Sequence, residues 1–265
     1  NDDWIEKLDN ALISASSQNK WFTKENLHFC IAVWGQTLNE NDITEWLSAY
    51  TEPKKSTRLA VVMAGNIPLV GLHDVICGLA SGCIIEAKRS SSDTILLPFI
   101  VDFLTYLMPE WKDKVRFTEE KLTTYDKVIA TGSNNSTRYF NSYFSHVPKI
   151  IRGNKTGVAI LNGNESKEEL NGLMKDCFTY FGLGCRNITK LYLPEDYDLN
   201  KIFEASIPFA YLMNNSKYGN NYTYHKALMM LERKPVLENE LILIIHNPSL
   251  YSPVSVLNYE IYKNE

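Results

Sequence analysis

Apolar positions over the first fifty residues recur with helical spacing. Trp4, Ile5, Leu8 and Leu12 fall on one face, and Leu27, Ile31, Trp34 and Leu38 on another, with Thr23 placed to cap the second helix. The polar stretch Glu52-Pro53-Lys54-Lys55-Ser56 then reads as a linker, and the period changes after it. Leu59 to Ala64 is a short apolar run stopped by Gly65, the pattern of a buried strand. A helix through Leu72, Val75, Ile76 and Leu79 follows Pro68 and ends at Ser81-Gly82. Cys83 to Lys88 is the next strand, and Ser90-Ser91-Ser92-Asp93 supplies caps for a helix through Leu97, Ile100, Val101 and Leu104. Lys127 to Thr131 is another strand, closed by Gly132-Ser133-Asn134-Asn135 before a helix through Tyr139 and Phe144.

Strands alternating with helices through short connections predict a parallel sheet covered on both faces. Ligands bind such sheets at the carboxyl ends of the strands. Gly65-Asn66-Ile67-Pro68, Lys88-Arg89-Ser90-Ser91 and Gly132-Ser133-Asn134 all fall there and are expected to share one cleft. A second unit is expected to begin near Lys149-Ile150-Ile151-Arg152. It reads as a strand from Thr156 to Leu161 and a capping box Ser166-x-x-Glu169. The helix behind that box carries Leu170, Leu173, Met174, Cys177, Phe178 and Phe181 on one stripe. Further elements are a strand from Ile188 to Leu193, helical stretches near 198–213 and 221–232, and a strand from Leu241 to Ile245.

Composition narrows the class. Of the 265 residues, 45% are hydrophobic and 22% charged, as in ordinary globular proteins. A formal charge of -4 gives no electrostatic support to nucleic-acid or membrane-surface binding. No apolar run reaches the roughly 18 residues of a membrane span. The chain opens on Asn1 and closes on a strand-like Leu257–Tyr262, so it is expected to be a piece of a longer protein. Its five cysteines are odd in number and include no Cys-x-x-Cys pair, which points to a reducing, cytoplasmic setting. The five histidines never fall at metal-ligand spacing, so no metal site is expected.

Four cysteines sit among aliphatic neighbours and read as core. Cys185 differs. It follows a Gly-Leu-Gly turn between a helix and a strand, with Arg186 and Asn187 after it, where a thiol can face a cleft and react as thiolate. Asn66, in its Gly-Asn-x-Pro turn, reads either as a turn residue or as an amide donor to an oxyanion. Lys88 with Arg89, and Gly132-Ser133 before a helix, read either as solvated strand ends or as a phosphate and ribose edge. Neither a G-x-G-x-x-G fingerprint nor a P-loop is present.

Together, Val61 to Asp74, Ile129 to Ser136 and Phe181-Gly182-Leu183-Gly184-Cys185-Arg186-Asn187 closely resemble the acyl-CoA reductases of the LuxC type, a branch of the aldehyde dehydrogenase superfamily. The resemblance implies an α/β fold, a Rossmann-like nucleotide domain plus an α/β catalytic domain. Its expected division is N-terminal helices over 1–50, an NADP-binding domain over 51–150, a catalytic cysteine domain over 151–248 and a return segment over 249–265. It implies reduction of a fatty acyl-CoA to the aldehyde with NADPH through an acyl-cysteine, in the cleft between the domains. Cys185 would be the nucleophile, Asn66 the oxyanion donor, Lys88 the ribose contact, and Gly132-Ser133 the pyrophosphate turn. The place of the acidic residue of NAD-preferring relatives is taken by Ser91, with Arg89 nearby, which favours NADP.

Two departures follow. Hydrolytic relatives carry a glutamate in a Glu-Leu-Gly-Gly stretch; the match here, Ile151-Arg152-Gly153-Asn154, has no acid to activate water. The glutamate that holds the nicotinamide ribose is matched by Ser249. The resemblance further implies homo-oligomers in the full-length protein and a possible acyl-transferring partner subunit. A CoA-independent aldehyde dehydrogenase and a non-catalytic acyl-CoA-binding member are the alternatives.

Overall fold

The computed structural model describes residues 2–51 and 55–263, so part of the expected linker (residues 52–54) lies outside the described residues. The chain divides into two compact units, residues 1–154 and 155–265.

The first unit opens with three helices, α1 (Asp2–Gln18), α2 (Lys24–Thr37) and α3 (Glu40–Ser48). The hydroxyl of Thr23 accepts from the Asn26 N–H and caps α2, as its sequence position predicts. The helical stripe is only half sunk: Leu12 and Leu27 are buried, whereas Ile5 is 60% exposed. Then come β1 (Arg58–Val62), α4 (Leu72–Ala80), β2 (Ile84–Lys88), α5 (Leu96–Leu107), β3 (Val115–Thr118), β4 (Lys127–Thr131), α6 (Asn134–Tyr143) and β5 (Lys149–Arg152). The strands form a parallel sheet in the order β3-β2-β1-β4-β5. Central β1 is apolar on both sides because both sides are covered: Leu59, Ala60 and Val61 are all buried. The sheet grows from β1 to β2 in one direction and from β4 to β5 in the other. Right-handed crossovers therefore put α4 and α6 on opposite faces, and the order reverses between β1 and β4.

Two elements differ from the sequence pattern. Val115-Arg116-Phe117-Thr118 alternates rather than running apolar, so it shows no buried-strand signature, yet it forms edge strand β3. Lys149–Arg152, from which the second unit was expected to start, pairs with β4 and completes the first sheet.

The second unit contains β6 (Gly157–Ile160), α7 (Lys167–Phe178), β7 (Ile188–Pro194), α8 (Asn200–Ser206), a 3-10 stretch (Ile207–Asn214), α9 (Ser216–Leu231), β8 (Leu237–Glu238), β9 (Leu243–His246) and β10 (Val256–Tyr262). Its sheet runs β6-β7-β10-β9-β8, parallel except where β8 meets β9. The expected capping box is formed, with Ser166 and Glu169 exchanging side-chain and backbone bonds at the start of α7. The stripe on α7 is buried as its period requires. The segment after residue 248 supplies the middle strand of this sheet, between β7 and β9.

Candidate active site

The carboxyl edge of the first sheet gathers three of the predicted turns. Asn66 lies exposed in the loop after β1, Lys88 ends β2 with Arg89 and Ser91 beyond it, and Gly132-Ser133 links β4 to α6. Because β2, β1 and β4 are neighbours, these turns lie side by side at one edge. The first two touch: a Cβ on Gly65 would stand 2.3 Å from Ser90 Oγ, so only glycine lets the loops approach this closely. Buried Asp93 locks them together. Its Oδ2 accepts from Leu69 N–H and its Oδ1 from Leu96 N–H, each at 3.2 Å. Burial pushes its pKa up, and the backbone N–H groups of Leu69, Leu96 and Ile95 pull it the other way. Its place after three serines marks Asp93 as a cap for α5. Its second bond, to a turn 24 residues earlier, has no local signal.

Ser133 is the N-cap of α6, accepting from Ser136 N–H at 3.2 Å. The N–H groups of Asn134 and Asn135, in the first helical turn, lack intrahelical acceptors by construction and point out of the helix end. Arg89 is largely held by the protein. Its Nη1 donates to Thr94 O at 3.0 Å, its Nη2 pairs with Glu119 at 3.3 Å, and the guanidinium lies over the Phe117 ring. The Glu119 partner is 79% exposed.

At the same edge Arg152, the last residue of β5, meets Asp74 in the first turn of α4. Nη1 stands 2.7 Å from both carboxylate oxygens. Asp74 is buried, and its charge is matched by Arg152 and by the helix N-terminus. The preceding Ile151 packs with the Ala130 and Phe144 cluster. The stretch Ile151-Arg152-Gly153-Asn154 thus presents an apolar side chain and a paired arginine.

Cys185 lies in the second unit. Of the five cysteines it alone is exposed; Cys30, Cys83 and Cys177 are buried and Cys77 is half-buried. Burial drives the Cys177 thiol pKa up, as its place on the apolar stripe implies. Helix α7 stops at Phe178, and three successive residues turn left-handed: Tyr180 (φ 52°), Phe181 (φ 60°) and Gly182 (φ 76°). Each non-glycine residue there costs about 1–2 kcal/mol. Such strain persists where the surroundings impose it and clusters at functional sites. Buried Phe181, against Tyr218 at 6.0 Å, helps impose it. Asn187 closes the following turn, a role the sequence reading did not assign, although Asn within a Gly-rich turn is a recognisable signal.

The Ser249 loop is pinned from behind. Carbonyls of Asn247, Leu250 and Tyr251 accept from buried Lys190, Thr189 and Asn258, and Asn258 also reaches Ser249 O. Lys190 is fully buried and pairs with Glu260 at 2.9 Å. Elsewhere in the first unit, an apolar groove of about 500 Å³ opens between α1, α2 and α5, with Leu69 and Leu72 in its lining. Among the described residues no group of His, Cys, Asp or Glu could hold a metal ion. No described helix is long and apolar enough to cross a membrane.

No protein-family model and no curated protein matches the chain. Solved structures do. The aldehyde dehydrogenase ALDH21 of Physcomitrella patens, in complex with the reaction product succinate, aligns at TM-score 0.63 and 13% identity over 78% of this chain and 51% of its own. Staphylococcus aureus AldH in a substrate-bound state aligns at 0.60 and 12% identity over 99% of this chain and 68% of its own. The NAD+ complex of an aldehyde dehydrogenase from Bacillus cereus aligns at 0.59 and 16% identity, covering 80% and 52%. The chain spans about half to two thirds of the length of such structures. At these identities the likeness establishes the fold, which is that of the aldehyde dehydrogenases.

Proposed function

We propose that the protein is an acyl-CoA reductase of the aldehyde dehydrogenase superfamily, taking a fatty acyl thioester to the aldehyde with NADPH. The observation that carries this reading is the single exposed cysteine, Cys185, on a tightly held turn that follows a strained left-handed run in an aldehyde dehydrogenase fold. The Cys185 thiolate attacks the acyl carbonyl, a C–S bond forms, and the CoA thiolate departs as the carbonyl re-forms. Asn66 is assigned the oxyanion-donor role. The acyl-cysteine then persists, since Ile151-Arg152-Gly153-Asn154 offers no free carboxylate to activate water.

The carboxyl edge of the first sheet suits a nicotinamide dinucleotide. It combines a sheet switch point, an outward helix N-terminus at α6, a half-buried ammonium at Lys88 and small side chains at Gly132, Ser133 and Ser91. When bound, the nucleotide supplies the hydride that converts the thioester to the aldehyde level. Lys88 would hold the adenine ribose, and the α6 N-terminus with Ser133 the pyrophosphate. Ser91 would offer a hydroxyl, not a carboxylate, to a 2′-phosphate. Arg89 would supply positive charge for that phosphate if it exchanged its solvent-exposed Glu119 partner.

Intact mass spectrometry after mixing the protein with a long-chain acyl-CoA tests the reading. An acyl adduct is expected on the wild type and none on Cys185→Ser. No adduct on the wild type, or equal labelling of both, overturns it.

A further inference from the structure

Asn187 is buried, 6% exposed, and spends its whole side-chain amide on the backbone around Cys185. Its Oδ1 accepts from Gly184 N–H at 2.7 Å. Its Nδ2 donates to Asp176 O at 2.7 Å and to Thr179 O at 3.0 Å, the carbonyls at the end of α7. Its own N–H donates to Gly184 O at 3.1 Å, closing a four-residue turn whose two central residues are Cys185 and Arg186. Its carbonyl accepts from Gly157 N–H at 2.8 Å and from Thr156 Oγ1 at 3.2 Å, which ties the turn to β6. Both anchor points of the Cys185 turn, residues 184 and 187, are thus held by one residue that is itself fixed to a helix end and a strand. Arg186, the other central residue, is exposed and has no such role.

We propose that Asn187 is the positioning residue of the Cys185 nucleophile: its amide fixes the Gly184–Asn187 turn so that the thiol is presented in one place for acyl transfer. This rests on the nucleophile role given to Cys185 above. The amide is required for its two functions at once. Aspartate keeps the acceptor for Gly184 N–H but sets a carboxylate oxygen against the Asp176 and Thr179 carbonyls. Leucine removes the amide that bonds the Gly184 N–H and the Asp176 and Thr179 carbonyls.

The test follows the acylation rate of Cys185 by rapid-quench intact mass over a range of acyl-CoA concentrations, with Asn187→Asp beside the wild type. Displacing a reacting atom by about 1 Å lowers a rate by about a hundredfold, so a loss of about tenfold to a hundredfold at saturation is expected. The half-saturating acyl-CoA concentration should not move. Ser166→Ala weakens the α7 capping box without touching the turn and should acylate like the wild type. Equal acylation by Asn187→Asp, or the same loss in Ser166→Ala, overturns the proposal. If Asn187→Asp fails to fold, Asn187→Gln, which keeps the amide one methylene further out, takes its place with the same expectation. A wild type that forms no adduct defeats the nucleophile reading instead. Amide hydrogen exchange of the Gly182–Asn187 segment then decides the clamp: protection in the wild type that survives in the variant refutes it.

Discussion

Replacing Arg152 by Met removes a guanidinium and keeps most of the side chain. Asp74, 4% exposed, would retain a buried charge. Its remaining neighbour is His73, whose Nδ1 stands 3.6 Å away on a side chain 65% exposed. Hydrogen bonds to charged groups contribute about 1.5–3 kcal/mol, and orphaning a fully buried ion costs about 3–5. Two features pull the figure to the low end. The Arg152 side chain is 42% exposed, so water already screens the pair. The α4 N-terminus also continues to compensate Asp74. The expected loss is about 2 kcal/mol, about thirtyfold in the folding equilibrium. Urea denaturation of Arg152→Met, Asp74→Asn and the double variant, followed by circular dichroism, measures it. A coupling of about 1–2 kcal/mol between the two sites is expected; effects that add to within about 0.5 kcal/mol would refute the pair as an energetic unit.

Gly65→Ala should lower stability by about 1–3 kcal/mol and weaken the NADPH binding proposed above, because the new Cβ would meet Ser90 and force the two edge loops apart; an unchanged melting temperature would show that the loops part freely. Glu238 is held down to about 2 by the Lys226 ammonium, the Tyr222 hydroxyl and the Glu240 N–H, from a reference value of 4.5. A depressed carboxylate contributes stability above its unfolded pKa and loses it on acidification. That contribution, about 1 kcal/mol after solvent screening, should therefore vanish between about pH 4.5 and 2, and Glu238→Gln should flatten the melting temperature over that window. An unaltered profile in the variant removes the linkage. In α2, nothing lies within 4 Å of a Cβ on Gly35, so Gly35→Ala should stabilise by about 1 kcal/mol, read as a higher urea midpoint; a lower midpoint would mean that the groove is tighter than its geometry shows.

The fold was legible where one physical demand dominates a stretch. Leu59 to Val61 are buried on both sides of β1, and the apolar run says so, although it runs on past the strand's end at Val62. Ser166 and Glu169 must satisfy the first N–H groups of α7, and their spacing says so. Legibility failed where two demands compete. β3 lies at the sheet edge and needs only one apolar side, so Arg116 interrupts it. β5 carries Arg152 because its last residue faces Asp74 rather than the core, and a strand ending in charge resembles a boundary. The second sheet is closed by β10, 62 residues beyond the end of β7, and its parallel pairing with β7 leaves no local mark.

The candidate site divides along the same line. Chemistry-bearing residues announce themselves by type: a cysteine off the apolar stripe, an amide in a tight turn, a Gly-Ser pair before a helix. The residues that hold them do not, because their partners are main-chain groups with no sequence identity. Asp93 takes N–H groups from Leu69 and Leu96. Asn187 takes one from Gly184 and gives two to Asp176 and Thr179. In both cases a short polar side chain is buried, and its bonds to backbone offset the cost of that burial. This explains why Cys185 can stand exposed just after a strained run and still be fixed. The left-handed run at Tyr180, Phe181 and Gly182 costs about 1–2 kcal/mol at each non-glycine residue, and the three bonds of the Asn187 amide, at about 1 kcal/mol each, are of the size needed to offset it. Loss of that amide should therefore be felt first in where the Cys185 sulfur lies, and only second in whether the unit folds.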